Sequence, residues 1–234
     1  MEGQGNVLVE LVNVTFSYEK KGKKHMILEN ASYQFEKGKM YAVLGKSGAG
    51  KTTTLSLIGA LEFPQTGKVL YRGEPVTKKN QEGYRNRIVS IIFQDYNLLP
   101  YMNGYQNIEL GMHIVGRKES RERIETLLER VGIDERVALN NVKQISGGEQ
   151  QRIAIARALA TDAEVILADE PTGNLDDETA AEIIELLYNL AHEEEKCVIA
   201  VTHTKALADR ADAVIRIADR RLAEDGSGGE CPFL

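Results

Sequence analysis

Hydrophobic and polar positions change period several times along the chain. Residues 7–16 are rich in β-branched side chains and partly alternate, which predicts a strand; residues 27–35 predict a second. Between them, residues 19–25 are polar and lysine-rich around Gly22, which predicts a solvated hairpin turn. Met40-Tyr41-Ala42-Val43-Leu44 is an unbroken apolar run that enters Gly45 directly. Residues 53–61 then take helical spacing, which stops before Pro64. Further strands are predicted at 69–71, 88–93, 165–168, 197–201 and 213–217, and helices at 149–160 and 178–190. From about 97 to 145 the chain is charged and helical, with Ile124, Leu127, Leu128 and Val131 on one face of a helix over 121–131. Strands alternating with helices predict an α/β domain with a parallel sheet. That domain is expected over residues 1–222, with 97–145 as an inserted all-helical lobe and the acidic, glycine-rich 223–234 as a flexible tail.

Composition narrows the class. A chain of 234 residues with 42% hydrophobic and 27% charged positions fits one large globular domain. The net charge of −6 argues against a nucleic-acid partner, which calls for a basic excess. Two cysteines, Cys197 in an apolar run and Cys231 near the end, fit a reducing compartment. The N-terminus lacks the basic and apolar regions of a signal peptide. No apolar run approaches the ~20 residues that cross a bilayer, so any membrane part is expected from another chain.

The candidate chemistry begins after the apolar run at 40–44. Gly45-Lys46-Ser47-Gly48-Ala49-Gly50-Lys51-Thr52, followed by Thr53, has the spacing of a phosphate-binding loop between a strand and a helix. Glycines let consecutive N–H groups point inward, and the helix that follows adds the positive end of its dipole. Lys51 suits the β/γ-phosphates and the Thr52 hydroxyl suits Mg²⁺. A second apolar strand, 165–168, ends in Asp169-Glu170. Alone an acid pair is a weak signal. Beside the phosphate loop, Asp169 suits the Mg²⁺ shell and Glu170 a general base for water.

Ile145-Ser146-Gly147-Gly148-Glu149-Gln150-Gln151-Arg152 then makes the chain resemble the ABC ATPase family over about residues 7–222. The resemblance implies a P-loop NTPase core of the ABC type, with an inserted helical lobe and an N-terminal antiparallel β subdomain. It implies ATP and Mg²⁺ as cofactors. It also implies a head-to-tail homodimer in which Ser146, Gly147, Gly148 and Glu149 cover the γ-phosphate held by the other copy. Position by position, Tyr18 resembles the aromatic that stacks on adenine and Gln94 the glutamine that senses Mg²⁺. Residues 171–176 resemble the loop that crosses the dimer interface, and His203 the switch histidine at the γ-phosphate. The implied activity is ATP hydrolysis, with Glu170, His203 and Gln94 as catalytic groups.

Pro-Thr-Gly-Asn-Leu-Asp and Phe-Gln-Asp-Tyr-Asn-Leu-Leu-Pro are similar to the lipoprotein-release, macrolide-export and cell-division subgroup. That similarity implies a separate membrane permease and a bacterial cell, with the chain on the cytoplasmic face of the membrane. An amino-acid-type importer and a non-transport regulatory switch are the competing readings. The permease is expected to dock in a groove beside Gln94, lined by Asp95, Tyr96, Leu98, Leu99, Tyr101 and Met102.

Overall fold

The structure, a computed structural model, describes residues 6–20, 22–118 and 120–224. Two sheets form its frame. In the first, β1 (Val7–Lys20) pairs antiparallel with β2 (Lys23–Glu36) on one side. On its other side β1 pairs with β4 (Thr66–Tyr71), and the short β5 (Glu74–Pro75) closes the edge. The second sheet has the order β10-β9-β3-β8-β7-β6. Its strands are β3 (Met40–Leu44), β6 (Val89–Ile92), β7 (Val165–Asp169), β8 (Cys197–Val201), β9 (Ala213–Ala218) and β10 (Arg221–Glu224). All neighbours pair parallel except the β9–β10 hairpin. Parallel strands are covered on both faces, which is why β3 and β8 are buried throughout and read as apolar runs.

The helices are α1 (Lys51–Ile58), α2 (Gln81–Arg87), α3 (Gly104–Ile114), α4 (Arg121–Arg130), α5 (Glu135–Ala138), α6 (Gly147–Leu159), α7 (Asp177–His192) and α8 (Lys205–Arg210). The period of two along β3 divides its side chains between two cores. Met40, Ala42 and Leu44 join a core with α3, α4, α6 and α7. Tyr41 and Val43 join a second core with α1 and the antiparallel sheet. Each large apolar side chain fully buried in either core contributes roughly 1.5–3 kcal/mol. The strand that feeds the phosphate loop is therefore gripped from both sides.

Three sequence expectations change. The lysine-rich stretch is mostly strand: β1 runs to Lys20 and β2 starts at Lys23, with Tyr18 opposite His25. Polar side chains there stand on an exposed ribbon and still pair by backbone. At the other end Ala223 and Glu224 lie in β10, opposite Arg216 and Ile215, and Tyr33 Oη donates to Glu224 at 3.1 Å. The strand is held by its ladder despite weak β-propensity; the remainder of the expected tail, with Cys231, lies outside the described residues. Third, α2, α8 and β5 were not foreseen; each is seven residues or fewer, too short to show a period.

Candidate active site

The loop after β3 is shaped by glycines where other residues would not fit. Gly48 and Gly50 adopt φ of 77° and 102°. A side chain at Gly50 would also strike Cγ2 of Ile27, so the position requires glycine on both counts. Gly50 is the N-cap of α1 and offers no side chain to that helix start. The first N–H groups of α1 thus face the loop, where an anion can satisfy them. Lys51 folds across the loop, its Nζ donating to the Gly45 carbonyl at 2.9 Å.

A cavity of about 440 Å³ opens over this loop. Ser47, Gly48, Gly50, Lys51, Thr52 and Thr53 form its floor, and Gln94, Asp169 and Glu170 its far wall. A smaller adjoining space of about 370 Å³ adds Lys46 and His203 beside Glu170, together with Gly45. A third, about 520 Å³, runs along the outside of the loop past Ala49. The structure thus brings the loop, the acid pair, Gln94 and His203 together.

The acid pair splits into two environments. Thr52 Oγ1 donates to Asp169 Oδ1 at 3.3 Å. Burial pushes the Asp169 carboxyl above its ordinary value; the Thr52 hydroxyl and Lys51 pull it back, and the charge of Glu170 adds to the rise. Glu170 adopts φ 48°, the left-handed region that costs a non-glycine residue energy. The conformation is enforced by neighbours: the Glu170 N–H donates to Val201 O at 2.9 Å, and its carbonyl accepts from Gly173 N at 3.1 Å. The turn leaves the Glu170 side chain only 14% exposed, with His203 beside it.

The donor set fits Mg²⁺. A hydroxyl, a carboxylate in contact with it and an amide side chain on one wall are hard oxygen ligands, and the burial of Asp169 favours a cation next to it. Among the described residues there is no cluster of three or more His, Cys, Asp or Glu suited to a metal ion. Few protein ligands, with phosphate and water completing the shell, is the usual arrangement for Mg²⁺ beside a nucleotide.

Other expected residues lie elsewhere. Tyr18 is exposed and packs its ring edge-on against Phe16; it is not among the residues lining the cavity, whereas its cross-strand neighbour His25 is. His25 and Ile27 were missed by sequence reasoning; counting across the hairpin from Tyr18 would have found His25. Ser146, Gly147 and Gly148 start α6, outside this cavity wall. Glu149 closes a capping box with Ser146 in the single copy. Its Oε2 accepts from Ser146 N at 2.7 Å and from Ser146 Oγ at 2.8 Å, while Ser146 Oγ accepts from Glu149 N. This capping box gives the carboxylate to its own helix, because the nearest unsatisfied donors are there.

Residues 28–173 match the family model described as ABC transporter. The chain belongs to that family. It is 47% identical over 213 residues to an uncharacterised ABC transporter ATP-binding protein, YclH, of Bacillus subtilis, covering 90% of this chain and 93% of that one. It is 39% identical over 220 residues to the lipoprotein-releasing system ATP-binding protein LolD of Syntrophus aciditrophicus, covering 92% and 98%. Among solved structures, the dimeric post-hydrolysis state of the ATP-binding cassette MJ0796 bound to ADP and Pi superposes with a TM-score of 0.86 at 33% identity, covering 95% of this chain and all of that one. The chain is accordingly an ABC ATP-binding cassette and an ATPase. Among the described residues no helix is long and apolar enough to cross a membrane.

Proposed function

We propose that this cassette is the cytoplasmic motor of a mechanotransmission-type ABC complex, hydrolysing ATP in a head-to-tail dimer to drive a separate membrane subunit that moves a lipoprotein or similar apolar cargo. The observation that carries the reading is a separation. Lys51 and the acid pair share one cavity, whereas Ser146 begins a helix outside its wall. One copy thus supplies both halves of a phosphate site but cannot join them by itself.

In this reading Lys51 and the N–H groups of the loop bind the β/γ-phosphates, and Tyr18 stacks on the base. Thr52, Asp169 and Gln94 hold Mg²⁺, which when bound offsets phosphate charge. Glu170 orients the attacking water and takes its proton, and His203 fixes the carboxylate that does so. Ser146, Gly147 and Gly148 of a second copy close over the γ-phosphate. Most of the catalysis is then positioning and electrostatics, supplied when the two copies meet.

The coupling surface is read from the loop after Gln94. Tyr101 is 74% exposed and Leu139 53%. Asn141 Nδ2 donates to Pro100 O, and Asn103 bridges Asn141, so these two apolar side chains sit on adjoining segments. Leu98 is instead packed against the core, so the expected groove narrows to Tyr101, Leu139 and the half-buried Met102. A helix of the membrane subunit fits such a patch. Similarity to a lipoprotein-releasing cassette supports the cargo class.

Reconstitution with the membrane subunit in liposomes tests the proposal. ATP-dependent release of an acylated protein from the bilayer is expected, without accumulation of solute in the lumen. ATP-driven uptake of a small solute would assign the chain to an importer instead.

A further inference from the structure

We propose that Arg157 is the positioning residue of the Gln94 loop: its guanidinium holds the backbone of Tyr96 and Asn97 in the turn that aims Gln94 at the phosphate cavity. Arg157 lies on α6, the helix that presents Ser146. One side chain therefore links the helix facing a partner's nucleotide to the loop facing the chain's own. The inference rests on the proposed role of Gln94.

The geometry is specific. Arg157 Nη1 donates to Asn97 O at 2.6 Å and Nη2 donates to Tyr96 O at 2.8 Å. No carboxylate is recorded beside it among the described residues, although burial lowers the guanidinium from its ordinary value. A half-buried charge given to two backbone carbonyls rather than to an acid contributes most where those carbonyls must be held.

Those carbonyls belong to the least relaxed part of the loop. Tyr96 and Asn97 have φ of 59° and 49° in succession. Two adjacent non-glycine residues in the left-handed region persist only where the surroundings enforce them. Local backbone bonds, Tyr96 N to Phe93 O and Asn97 N to Asp95 O, bend the chain but leave both carbonyls to be satisfied from outside. The planar fork of an arginine spans two such acceptors; a lysine ammonium does not.

The stem of Arg157 is fixed as well. Gly111 of α3 comes so close that a Cβ there would stand 2.5 Å from Arg157 O and 3.3 Å from its Cγ. The Tyr96 hydroxyl reaches back to the start of α6, 3.1 Å from where a Cβ of Gly147 would be. Gly147 and Arg157 are ten residues apart, about 15 Å along the helix axis. Tyr96 thus touches both ends of this span, at the carbonyl and at the ring tip. A tilt of α6 moves both contacts together, and Gln94 lies two residues away. Asn174 Nδ2 also bonds Gln94 O at 3.3 Å, so the loop end is tied on its other side to the 171–176 segment.

The test is a cycle in the full chain: Arg157→Gln, Gln94→Ala and the double variant, with ATP binding by calorimetry and ATPase rate against Mg²⁺ concentration. Arg157→Gln is expected to leave ATP affinity within about twofold, since Lys51 and Tyr18 are untouched, and to lower kcat by about tenfold or more through misplacement of Gln94. It should also raise the Mg²⁺ needed for half-maximal rate. On the Gln94→Ala background the same change should alter kcat by less than about twofold, the mark of two residues acting as one. Asn97→Gly, which takes a left-handed φ without strain, should restore part of the rate to Arg157→Gln. If Arg157→Gln does not fold, Arg157→Lys carries the same comparisons, because one ammonium cannot serve both carbonyls. Losses that multiply in the double variant, or no recovery with Asn97→Gly, overturn the proposal and leave Gln94 its role. A Gln94→Ala chain with normal rate and normal Mg²⁺ dependence overturns the role of Gln94, and this proposal with it.

Discussion

His203 holds the Glu170 carboxylate at two points: its ring Nδ1 lies 2.9 Å from Glu170 Oε2, and its backbone N–H donates to the same oxygen at 3.3 Å. The histidine is exposed and the glutamate nearly buried, so the contact forms the mouth of the cavity. In the proposed role of Glu170 as base, His203 engages Oε2 and Oε1 would take the water.

Glu170→Gln keeps the size and hydrogen-bonding shape of that group and removes its basicity. ATP hydrolysis is expected to fall by about 10²-fold or more, with ATP binding retained. Two copies should then be trapped by ATP and released by ADP, a difference readable by size exclusion. Hydrolysis at the normal rate would remove Glu170 from the role of base.

Asp169→Asn separates stability from function. The Asp169 carboxyl is raised by burial, so its charged form destabilises the empty fold. A raised acid contributes its stability below the unfolded value, near 3.9, and loses it as pH rises through the folded one. At neutral pH that contribution is gone. The amide that replaces the carboxylate carries no charge to bury, and its oxygen still accepts from Thr52. The variant without nucleotide is expected to melt slightly higher at pH 7 and to lose this gain in acid, while Mg²⁺-dependent hydrolysis disappears. A lower melting temperature at pH 7 would contradict the account.

Mixing tests whether the site is shared. Lys51→Ala should abolish useful ATP affinity, because the phosphates lose their lysine. Ser146→Asp retains an acceptor for the Glu149 N–H but sets a second carboxylate against that of Glu149, adding negative charge where the phosphate of the proposed dimer would come. It is cleaner than a change at Gly148, whose added Cβ would lie 2.7 Å from Thr179 Cγ2. Each variant alone should be inactive. Mixed under conditions that form heterodimers, they should recover one complete site per pair, seen as ATPase activity well above either alone. No recovery in proven heterodimers would refute sharing in trans.

Tyr101→Ala removes the most exposed large apolar side chain of the chain's described part. Basal ATPase of the isolated chain should stay within about twofold, since surface changes of this kind cost little stability. Co-purification with the membrane subunit and stimulation by it should both be lost. If the isolated chain melts early or loses basal activity, the ring belongs to the fold instead of an interface.

Much of the site was legible because its chemistry is local. The residues from Gly45 to Thr52 act as one continuous loop, and the run into Asp169-Glu170 reads as a buried strand because both faces are covered. What escaped depends on partners distant in sequence. Nothing near residue 157 marks it out; its function appears only when α6 is laid beside residues 96 and 97. Leu98 and Tyr101 look equivalent in sequence, yet one packs inward and the other points out, because Asn107 pins the segment between them through the N–H and carbonyl of Leu99. The bond from Glu149 back to Ser146 likewise appears only once the start of α6 is laid out in space. The lysines near the first hairpin read as a turn because charge mimics a loop, whereas backbone pairing continues beneath them.

The capping box at Ser146 has a consequence for how an idle motor behaves. The start of α6 already holds an anion of its own, the Glu149 carboxylate, so an unpartnered cassette has no hunger there for a stray phosphate. In the proposed dimer, an arriving γ-phosphate would compete with that carboxylate for the Ser146 N–H and hydroxyl. Closure would then depend on the whole triphosphate being present. After hydrolysis the resident carboxylate would take back its place and let the pair part, as a machine that resets after every stroke requires.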